Sequence, residues 1–468
     1  MNLQSIKKNI QKNGLRGALK KYTKKAAQMT LGIEDHEKKY KILLLTNKDS
    51  DNTGDQVIEA CDRSLLYMIM KNLGITNYRI NSKPATLVRK PYEVATGEHL
   101  VPAENAIKDC DVVVFGGTPV FNYLYQPIYA RTARTIELAE KYGKPVIFAA
   151  VGVDRYDEGN EKCRLLEEVI NKPNVLMITT RDNFDSLEKF KYKENTQLEI
   201  GTVSDPAVFS RAVFRPYLTK EKGTKKKIGV FILRSAGFTD NQIDLPREKV
   251  SELWMQVIQE LEQRGYEYEL LTSGHCSDEA FLDHLICDCG VAPEKAVFNV
   301  NTPEKLVGKI SEYDAVISCR LHPSIISFAL GVPSIGINWN NKVRGFYHNI
   351  GYDNRVLYAE TITAEQIVDK MEEALAEGVE QKEEYLMSVY TTLFAALKRV
   401  LCPDNLAKPY TYQQLESQLI PYEGTSPEEY QAKLRRKFRR AYGNYNRLVE
   451  KEAENKKRIK EFEERSSL

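Results

Sequence analysis

The chain has 468 residues, of which 42% are hydrophobic and 28% are charged, and its formal net charge is only +2. This length exceeds what one hydrophobic core normally organises, so two domains with appended segments are expected. The small net charge excludes a global electrostatic field that would attract nucleic acid. The eight cysteines show neither Cys-x-x-Cys pairs nor zinc-finger spacing, which predicts reduced thiols and no metal site.

The N-terminal segment, residues 1–38, is predicted to be helical, basic and amphipathic. Within residues 1–30, apolar side chains recur near one helical face and lysines occupy much of the rest. This pattern fits peripheral contact with an anionic membrane surface, and it fits packing against the protein core equally well. Met1 is followed by no apolar run of the signal-peptide type, and no stretch of the chain resembles a transmembrane helix. A cytoplasmic location is therefore predicted, with any membrane contact at the inner face.

Residues 39–219 are predicted to form a first Rossmann-like domain. Short apolar runs of the kind that form buried parallel strands recur through it, at 41–46, 111–115, 145–150 and 175–179. Helical stretches at about 56–72 and 129–142 separate these runs. The alternation of strand and helix indicates a doubly wound α/β sheet.

A second domain of the same kind is predicted over residues 220–360. It begins with a polar, lysine-rich linker, and strand-like runs follow at 228–233, 268–272, 314–318 and 332–338. A helix is predicted over 248–264, and Thr302-Pro303 has the pattern of an N-cap with a first-turn proline. Two Rossmann-like halves predict a GT-B-like arrangement, in which the active site lies in the cleft between the halves.

The remaining residues are predicted to be helical. Residues 361–402 should pack back on the core, and residues 403–468 form a highly charged tail. Ser426 starts a capping box, and a basic cluster occupies 433–440. A solvated or self-associating helix fits this mixed-charge tail better than a nucleic-acid-binding arm does.

The most informative motif is Arg320-Leu321-His322, which directly follows the strand-like run 314–318. Ligands bind α/β folds at the C-terminal edge of the parallel sheet, where this motif is expected to lie. Arg320 can hold a carboxylate or phosphate, and His322 can transfer a proton near neutral pH. The alternative is a buried histidine that only steadies a strand–helix turn.

Other polar positions are weaker candidates for a site. Asn52, Thr53 and Asp55 follow the first strand, where they could orient an acceptor or serve as ordinary turn and N-cap residues. Gly116 and Gly117 would allow a ligand to approach the backbone. A second group lies in the other half: His275 could line the cleft or be an exposed loop histidine, and Lys342 and Arg344 could reach a phosphate or be solvated.

Taken in order, these motifs closely resemble the polysaccharide pyruvyl transferase family over roughly residues 40 to 360. The resemblance is carried by Arg-Leu-His at 320–322, Gly-x-Pro at 331–333, Lys-x-x-Gly-Phe at 342–346, Asn-Thr-Gly-Asp at 52–55, Gly-Gly at 116–117, Arg-Asp at 181–182, Ser-Asp-Pro-Ala at 204–207 and Ile-Leu-Arg at 232–234. Two positions depart from the family pattern. Thr118 stands where a third glycine is usual, and Pro323 stands where a small helix former is usual.

The resemblance implies that phosphoenolpyruvate is the donor and that the product is a pyruvate ketal on a sugar of a cell-surface polysaccharide or its precursor. It implies that Arg234 and Arg320 bind the donor, that Leu321 contributes through its backbone, and that His322 is the general acid. Without the resemblance, Arg234 would be interpreted as a surface ion pair. No cofactor is implied, and the acceptor would be a free, lipid-linked or nucleotide-linked saccharide.

Two other functions remain open from the sequence. One is a GT-B glycosyltransferase that uses a nucleotide sugar, although no clear ribose-binding carboxylate follows residues 336–339. The other is a non-catalytic scaffold of polysaccharide assembly, which the set Arg234, Arg320 and His322 argues against. A homo-oligomer is compatible with either function.

Overall fold

In the computed structural model, residues 39–89, 97–124, 128–219 and 223–466 are described. The predicted amphipathic segment 1–38 and the first linker residues, 220–222, lie outside this range. The described residues form two six-stranded sheets with helices packed against them, which confirms the predicted α/β class.

The first sheet has the strand order β2-β1-β3-β4-β5-β6. Its strands are β1 (Tyr40–Thr46), β2 (Tyr78–Pro84), β3 (Val112–Phe115), β4 (Val146–Val151), β5 (Val175–Thr180) and β6 (Glu199–Thr202). From β1 through β3, β4 and β5 to β6, every neighbouring pair is parallel. β3 and β4 are buried at every position, because helices cover both faces of a doubly wound sheet.

The second sheet has the order β12-β11-β10-β7-β8-β9, and all its neighbouring pairs are parallel. Its strands are β7 (Lys227–Phe231), β8 (Glu267–Leu271), β9 (Ala296–Val297), β10 (Ala315–Ser318), β11 (Ser334–Asn338) and β12 (Val356–Tyr358). β7 and β10 are adjacent, so the chain segments that follow them leave the same edge of the sheet.

The helices fall into two series. Those of the first series are α1 (Thr53–Asn72), α2 (Val101–Lys108), α3 (Ile128–Lys141), α4 (Glu161–Ile170), α5 (Phe184–Phe190) and α6 (Ser210–Val213), with 3-10 turns at Gly97–His99, Pro206–Phe209 and Arg215–Tyr217. Those of the second are α7 (Ala236–Thr239), α8 (Arg247–Gln263), α9 (Cys276–Cys287), α10 (Pro303–Glu312), α11 (Leu321–Leu330), α12 (Asn341–Asn349) and α13 (Ala364–Glu377), with 3-10 turns at Pro293–Lys295 and Asp353–Arg355. Three more follow: α14 (Glu383–Leu401), α15 (Tyr412–Gln418) and α16 (Pro427–Ser466). We call β1–β6 with α1–α6 the first lobe and β7–β12 with α7–α13 the second lobe.

Each lobe has its own hydrophobic core. In the first, the rings of Phe115 and Phe148 stack with centroids 4.6 Å apart between neighbouring strands. In the second, Trp254 of α8 is almost fully buried against the sheet. Two separate cores explain how a chain of this length folds, since a single core rarely grows so large.

After the second lobe the chain returns to the first through α14. The Ser204 backbone N–H donates to the Ser388 hydroxyl of α14 at 2.8 Å, and the Ser204 hydroxyl donates to the Leu386 carbonyl. The Ser-Asp-Pro-Ala motif at 204–207 therefore anchors this returning helix. The domain boundaries predicted from the sequence stay a prediction.

The last helix contacts both lobes. Ser426 caps α16 as predicted, since its hydroxyl accepts the Glu429 N–H at 3.1 Å. The Lys437 ammonium lies 2.6 Å from Glu279 of the second lobe, and the Arg440 guanidinium lies 2.7 Å from Asp51 of the first. The basic cluster is thus partly engaged with the core, whereas the sequence predicted a solvated or self-associating helix. The distal part of α16 is exposed.

Most predicted elements coincide with observed ones to within a few residues. β7 ends at Phe231, two residues before the predicted end. Thr302 occupies the N-cap position of α10 and Pro303 its first turn, but the Thr302 side chain makes no capping hydrogen bond. Among the described residues, no helix is long and apolar enough to cross a bilayer.

Candidate functional site

The β1–α1 loop of the first lobe reaches the Arg-Leu-His motif of the second. Asn52 is the N-cap of α1, and its side-chain oxygen accepts the Gly54 N–H at 3.3 Å. This cap turns the Asn52 amide nitrogen toward the other lobe, where it lies 3.4 Å from His322 Nδ1. Two residues 270 positions apart in the sequence therefore meet where the lobes touch.

Gly54 is the residue that permits this approach. A Cβ at this position would lie 2.3 Å from both Cβ and Cγ of His322. Real side chains do not approach so closely, so only glycine allows the first turn of α1 to lie against the histidine. The glycine of the Asn-Thr-Gly-Asp motif thus has a steric role specific to this contact.

Both ring nitrogens of His322 have defined surroundings. Because the Asn52 amide donates to Nδ1, the hydrogen-bond network assigns the ring proton to Nε2. The Nε2 atom is buried, has no hydrogen-bond partner among the described residues, and lies 3.9 Å from Asp55 Oδ1. An N–H held in place but not engaged is suited to donate a hydrogen bond to a bound ligand, and a proton once the ring is an imidazolium.

The environment of His322 favours its neutral form. Burial lowers the pKa of His322 well below its usual value, and the positive charges of Arg181, Arg320 and Lys342 lower this pKa further. Burial raises the pKa of the Asp55 carboxyl, an effect that hydrogen bonds from Ser50 and Asn47 and the charge of Arg181 partly offset. The histidine therefore needs a nearby negative charge to become an imidazolium.

Arg320 is held by a carboxylate that the sequence analysis did not identify. Its Nε donates to Asp278 Oδ2 at 2.9 Å, and its Nη2 binds the same oxygen. Asp278, in the first turn of α9, is fully buried. The Arg320 guanidinium also lies 5.5 Å from the centre of the Trp339 ring. These contacts fix the orientation of the guanidinium as the chain enters α11.

Arg234 joins the same cluster through Asp278. Its backbone N–H donates to Asp278 Oδ1 at 3.2 Å, and its Nη1 donates to the Ser277 hydroxyl at 3.3 Å. Its Nη2 forms a 2.7 Å ion pair with the exposed Asp240. The structure thus places the Arg234 backbone N–H and the Arg320 guanidinium at one carboxylate, while the Arg234 guanidinium makes the surface ion pair weighed as an alternative. A donor-binding role for both arginines stays a prediction.

His275 also lies beside this arginine cluster. It is partly buried at the N-cap of α9, and its Nδ1 is 2.7 Å from the Ser277 hydroxyl. Burial lowers the pKa of His275; the Asp278 charge opposes this shift, and the Arg320 and Arg234 charges reinforce it. The prediction that His275 lies near the cleft cluster is therefore consistent with its neighbours.

The Lys-x-x-Gly-Phe motif forms part of helix α12 and not a loop. Lys342 reaches the first lobe, where its Nζ lies 3.9 Å from Asp154 Oδ1. Arg344 is exposed on the same helix. Lys342 therefore lies among the site residues, whereas the donor-binding role predicted for Arg344 gains no support from its position. Leu321, partly buried, begins α11 beside Arg320.

Thr53 connects the lobes and does not face open space. Its hydroxyl donates to the Val300 carbonyl at 2.6 Å, and its N–H donates to the Ser273 carbonyl at 2.8 Å. Gly274, in a left-handed conformation with φ of 88°, leaves room for this contact. The predicted nucleophile-orienting role of Thr53 is less well supported than a role in holding the lobes together.

Gly116 and Gly117 pack against helix α1. A Cβ on Gly116 would meet the Asp62 carboxylate at 2.1 Å, and the Gly117 N–H donates to that carboxylate at 3.1 Å. A Cβ on Gly117 would meet Ile58 at 2.8 Å. Protein atoms occupy the space above both glycines, so their evident role is helix–sheet packing. Thr118, the departure from the family pattern, accepts the Asn47 N–H at 3.0 Å.

A buried ion pair lies next to this region. Arg181, at the end of β5, pairs with Asp205 of the Ser-Asp-Pro-Ala motif, and both side chains are almost fully buried. The pair explains why these two motifs occur in the same chain, since either charge alone would be costly to bury.

Two site carboxylates, Asp278 and Asp154, were missed by sequence reasoning. Neither belongs to a recognisable motif, and each acquires its partner from a distant segment. The only available signal was their position in the segments that follow β8 and β4, at the ligand-binding edge of each sheet: Asp278 in the first turn of α9 and Asp154 three residues after β4. Within the part of the chain that the structure describes, no group of three His, Cys, Asp or Glu residues could hold a metal ion.

Comparison with solved structures identifies similar folds. S. aureus MnaA with UDP has a TM-score of 0.50 and 10% sequence identity, and the match covers 79% of this chain and 99% of that one. UDP-GlcNAc 2-epimerases from Methanocaldococcus jannaschii and Neisseria meningitidis, with UDP-GlcNAc bound, have TM-scores of 0.47 and 0.48. Their identities are 13% and 9%, and the matches cover 77% of this chain in both cases and 99% and 100% of theirs. At such identities the likeness concerns the fold alone, which is GT-B-like.

No curated protein matches the chain. A family model described as polysaccharide pyruvyl transferase matches residues 25–341. This match spans both lobes as far as the first residue of α12 and includes the His322 contact with Asn52, the Arg320 cluster and the Gly54 approach. The chain belongs to the polysaccharide pyruvyl transferase family.

Proposed function

We propose that this protein transfers the pyruvate group of phosphoenolpyruvate to a saccharide and forms a pyruvate ketal on a cell-surface polysaccharide or its precursor. One observation carries most of the proposal. The Nε2 atom of His322 is buried without a partner among the described residues, in a place where Arg320 and Lys342 add positive charge. A ring nitrogen without a hydrogen-bond partner, next to cations, suits the binding of an anionic substrate such as phosphoenolpyruvate, which must be protonated on carbon.

The chemistry assigns a role to each of these groups. Protonation of the donor at C3 by His322 places positive character on C2, where a sugar hydroxyl attacks. Phosphate then leaves, and a second hydroxyl closes the ketal. One hydroxyl proton replaces the proton that C3 received, and the other leaves on the phosphate, so the reaction is balanced without an oxidant or reductant.

The charge balance of the site supports donor-coupled protonation. Burial, reinforced by the positive charges of Arg181, Arg320 and Lys342, holds the pKa of His322 low when no ligand is bound. An anionic phosphate and carboxylate beside these cations would offset their effect and raise that pKa. The acid would then be charged only when its substrate is present.

Arg320 and Arg234 are the proposed donor clamps. Asp278 orients Arg320 through Nε and Nη2, which leaves Nη1 to grip an oxygen of the donor. Arg234 lies at the rim of the same cluster. The first backbone N–H groups of α11, beginning at Leu321, add the partial positive charge of a helix N-terminus.

The proposal includes a reaction without metal or cofactor, in which arginine and lysine meet the phosphate charge. It also places the reaction in the cytoplasm, because all eight cysteines are unpaired and the donor is a central metabolite of that compartment. Activity that survives EDTA would agree with the metal-free proposal. Complete loss with rescue by Mg²⁺ or Mn²⁺ would contradict it and favour a nucleotide-sugar transferase.

The direct experiment supplies phosphoenolpyruvate with a panel of free, nucleotide-linked and lipid-linked saccharides. Release of phosphate and the mass of the ketal product are followed for the parent protein and for Arg320→Ala. Arg247→Ala is the matched control, because Arg247 is exposed at the first residue of α8. Phosphate release that needs both substrates and is lost only in Arg320→Ala supports the proposal. Sugar transfer from a nucleotide sugar, without use of phosphoenolpyruvate, would refute it.

A further inference from the structure

Asp154 is a largely buried carboxylate at the cleft that the proposed donor chemistry does not use. It lies three residues beyond the end of β4, with its side chain 9% exposed. Its Oδ1 faces the Lys342 ammonium of the second lobe at 3.9 Å. Its Oδ2 is buried and makes no hydrogen bond to any described residue. Backbone hydrogen bonds from Tyr123 and Leu124 also lower the pKa of this carboxyl, so the buried Oδ2 is the atom left free to accept a hydrogen bond from a ligand.

The backbone that carries Asp154 is strained and braced. Ala150 has a positive φ of 55°, which is unfavourable for a residue with a Cβ, and the register between β4 and β5 shifts between Phe148 and Val151. Such bulges re-aim the end of a strand and recur beside active sites. Asp182 secures the altered path by accepting the Val153 N–H at 2.9 Å.

The segment of the second lobe that leads to Lys342 carries further unsatisfied polar atoms. Asn338 Oδ1 and Trp339 Nε1, at the end of β11, are buried without hydrogen-bond partners among the residues that the structure describes. They precede Lys342 in the chain, and the Trp339 ring lies beside Arg320. A hydrogen-bond donor, an acceptor, a cation and a carboxylate thus occur around the place where the two lobes face each other. This combination suits a ligand with several hydroxyl groups.

We propose that Asp154 binds a hydroxyl group of the saccharide acceptor and removes its proton as that oxygen attacks the donor. The inference rests on the proposed pyruvyl transfer. The acceptor O–H bond breaks and its proton passes to Asp154, while the acceptor oxygen forms a bond to C2 of phosphoenolpyruvate. The electron pair of the C2–C3 double bond takes a proton from His322. Asp154 later loses its proton to solvent, and solvent recharges His322.

The electrostatic surroundings agree with a base of this kind. Burial raises the pKa of Asp154, the Lys342 charge and backbone hydrogen bonds from Tyr123 and Leu124 lower it in part, and the neighbouring Asp182 raises it. A carboxylate with a raised pKa is a stronger base than one in water. Lys342 favours the ionised form of Asp154 and, from the same position, helps to lower the pKa of His322.

The test compares Asp154→Asn, which keeps the shape and removes the base, with Asp154→Ala and Asp154→Glu. Glu158→Gln is the matched control, because Glu158 is exposed in the same loop and the variant makes the same change of charge. Melting temperature is measured for every variant. Turnover, both KM values and the pH dependence of kcat are measured with phosphoenolpyruvate and the accepted saccharide.

We expect Asp154→Asn to lose about 10²-fold or more of kcat, with the donor KM little changed, since general-base catalysis typically contributes ~10²–10⁴-fold. Asp154→Ala should also raise the acceptor KM, Asp154→Glu should restore part of the rate, and Glu158→Gln should match the parent. The acidic limb of the kcat profile, which reports a base that must be ionised, should move or vanish in Asp154→Asn. A folded Asp154→Asn protein with near-parental kcat and acceptor KM overturns the proposal.

A binding arm separates this inference from the proposed function. Saturation-transfer NMR is recorded with methyl galactoside, methyl glucoside and methyl N-acetylmannosaminide on the parent and on Asp154→Ala. If the parent does not use phosphoenolpyruvate, the proposed function fails. In that case, saccharide signals lost only in Asp154→Ala would still support Asp154 as an acceptor-binding residue. Equal signals in the two proteins, or none in the parent, would overturn the inference.

Discussion

Gly54→Ala tests whether the observed contact between the lobes is the one on which turnover depends. The added Cβ would lie 2.3 Å from Cβ and Cγ of His322 and 2.4 Å from its Nδ1. Ordinary contacts begin near 3.4 Å, so α1 and α11 must separate by 1.1 Å or more. A different His322 rotamer cannot relieve the clash, because its Cβ is fixed by the backbone.

This separation should affect activity much more than folding. It would weaken the Asn52–His322 contact and the hydrogen bonds that Thr53 makes to the second lobe. A misplacement of about 1 Å at a catalytic group can cost ~100-fold in rate. Overpacking typically costs about 1–3 kcal/mol of stability, which should leave a protein with two intact cores folded.

Turnover of phosphoenolpyruvate, donor affinity and melting temperature should be measured on the same Gly54→Ala sample. Gly443→Ala is the matched control. Gly443 lies inside α16 with no atom within 4 Å of an added Cβ, so the exchange should be neutral or stabilise the helix by up to about 1 kcal/mol. Near-parental turnover in a folded Gly54→Ala protein would refute the reasoning that His322 acts in this inter-lobe contact.

Three further predictions concern the same residues and the last helix. His322→Ala should lose ~10²–10⁴-fold in turnover and keep donor affinity, and a loss that tracks the unfolded fraction would instead indicate a structural role. Arg320→Ala should weaken donor binding. Arg320→Lys should restore that binding only in part, because an ammonium lacks the guanidinium fork. The pKa of His322 is lowered in the unliganded protein and an anionic donor would raise it, so donor binding near pH 7 should take up a proton and tighten as the pH falls. Calorimetry in two buffers of different ionisation enthalpy measures this proton uptake. The same uptake in His322→Ala would contradict the assignment of the proton to His322. Lys437→Ala should lower the free energy of unfolding in denaturant by about 1–3 kcal/mol, since it leaves the largely buried Glu279 unpaired. Lys457→Ala, at an exposed position of the same helix, is the control and should change that free energy by no more than about 0.5 kcal/mol. Equal effects of the two variants would mean that the contact of α16 with Glu279 contributes no stability.

Local patterns predicted most of the secondary structure, for reasons that lie within each segment. Val112–Phe115 and Val146–Val151 are buried at every position, and an uninterrupted short apolar run is how a strand covered on both faces appears in a sequence. The charged tail shows where such reasoning stops. Its composition predicted a helix correctly, but whether its basic face meets water or the core depends on carboxylates at Asp51 and Glu279. Those residues come from two distant segments.

The residues of the candidate site also fall into those that the local sequence identified and those that only the fold identified. Arg320 and His322 were identified because their residue types and their place after a strand are properties of the local sequence. Asp278 and Asp154 were not, because an aspartate after a strand has no distinguishing pattern until the fold supplies its partner. For Gly116 and Gly117 the sequence suggested room for a ligand, whereas side chains of helix α1 fill the space above them. A glycine pair has the same sequence pattern in both situations.

By itself the sequence determined the α/β class, the two successive Rossmann-like halves and the family, because strand and helix periodicity and motif order are recorded along the chain. Only the tertiary structure decided which groups meet. The contact of Asn52 with His322 spans 270 positions, and that of Lys342 with Asp154 crosses from one lobe to the other. The proton position on His322 and the charge of its surroundings follow from these contacts, since burial and neighbouring charges act through space and not along the chain.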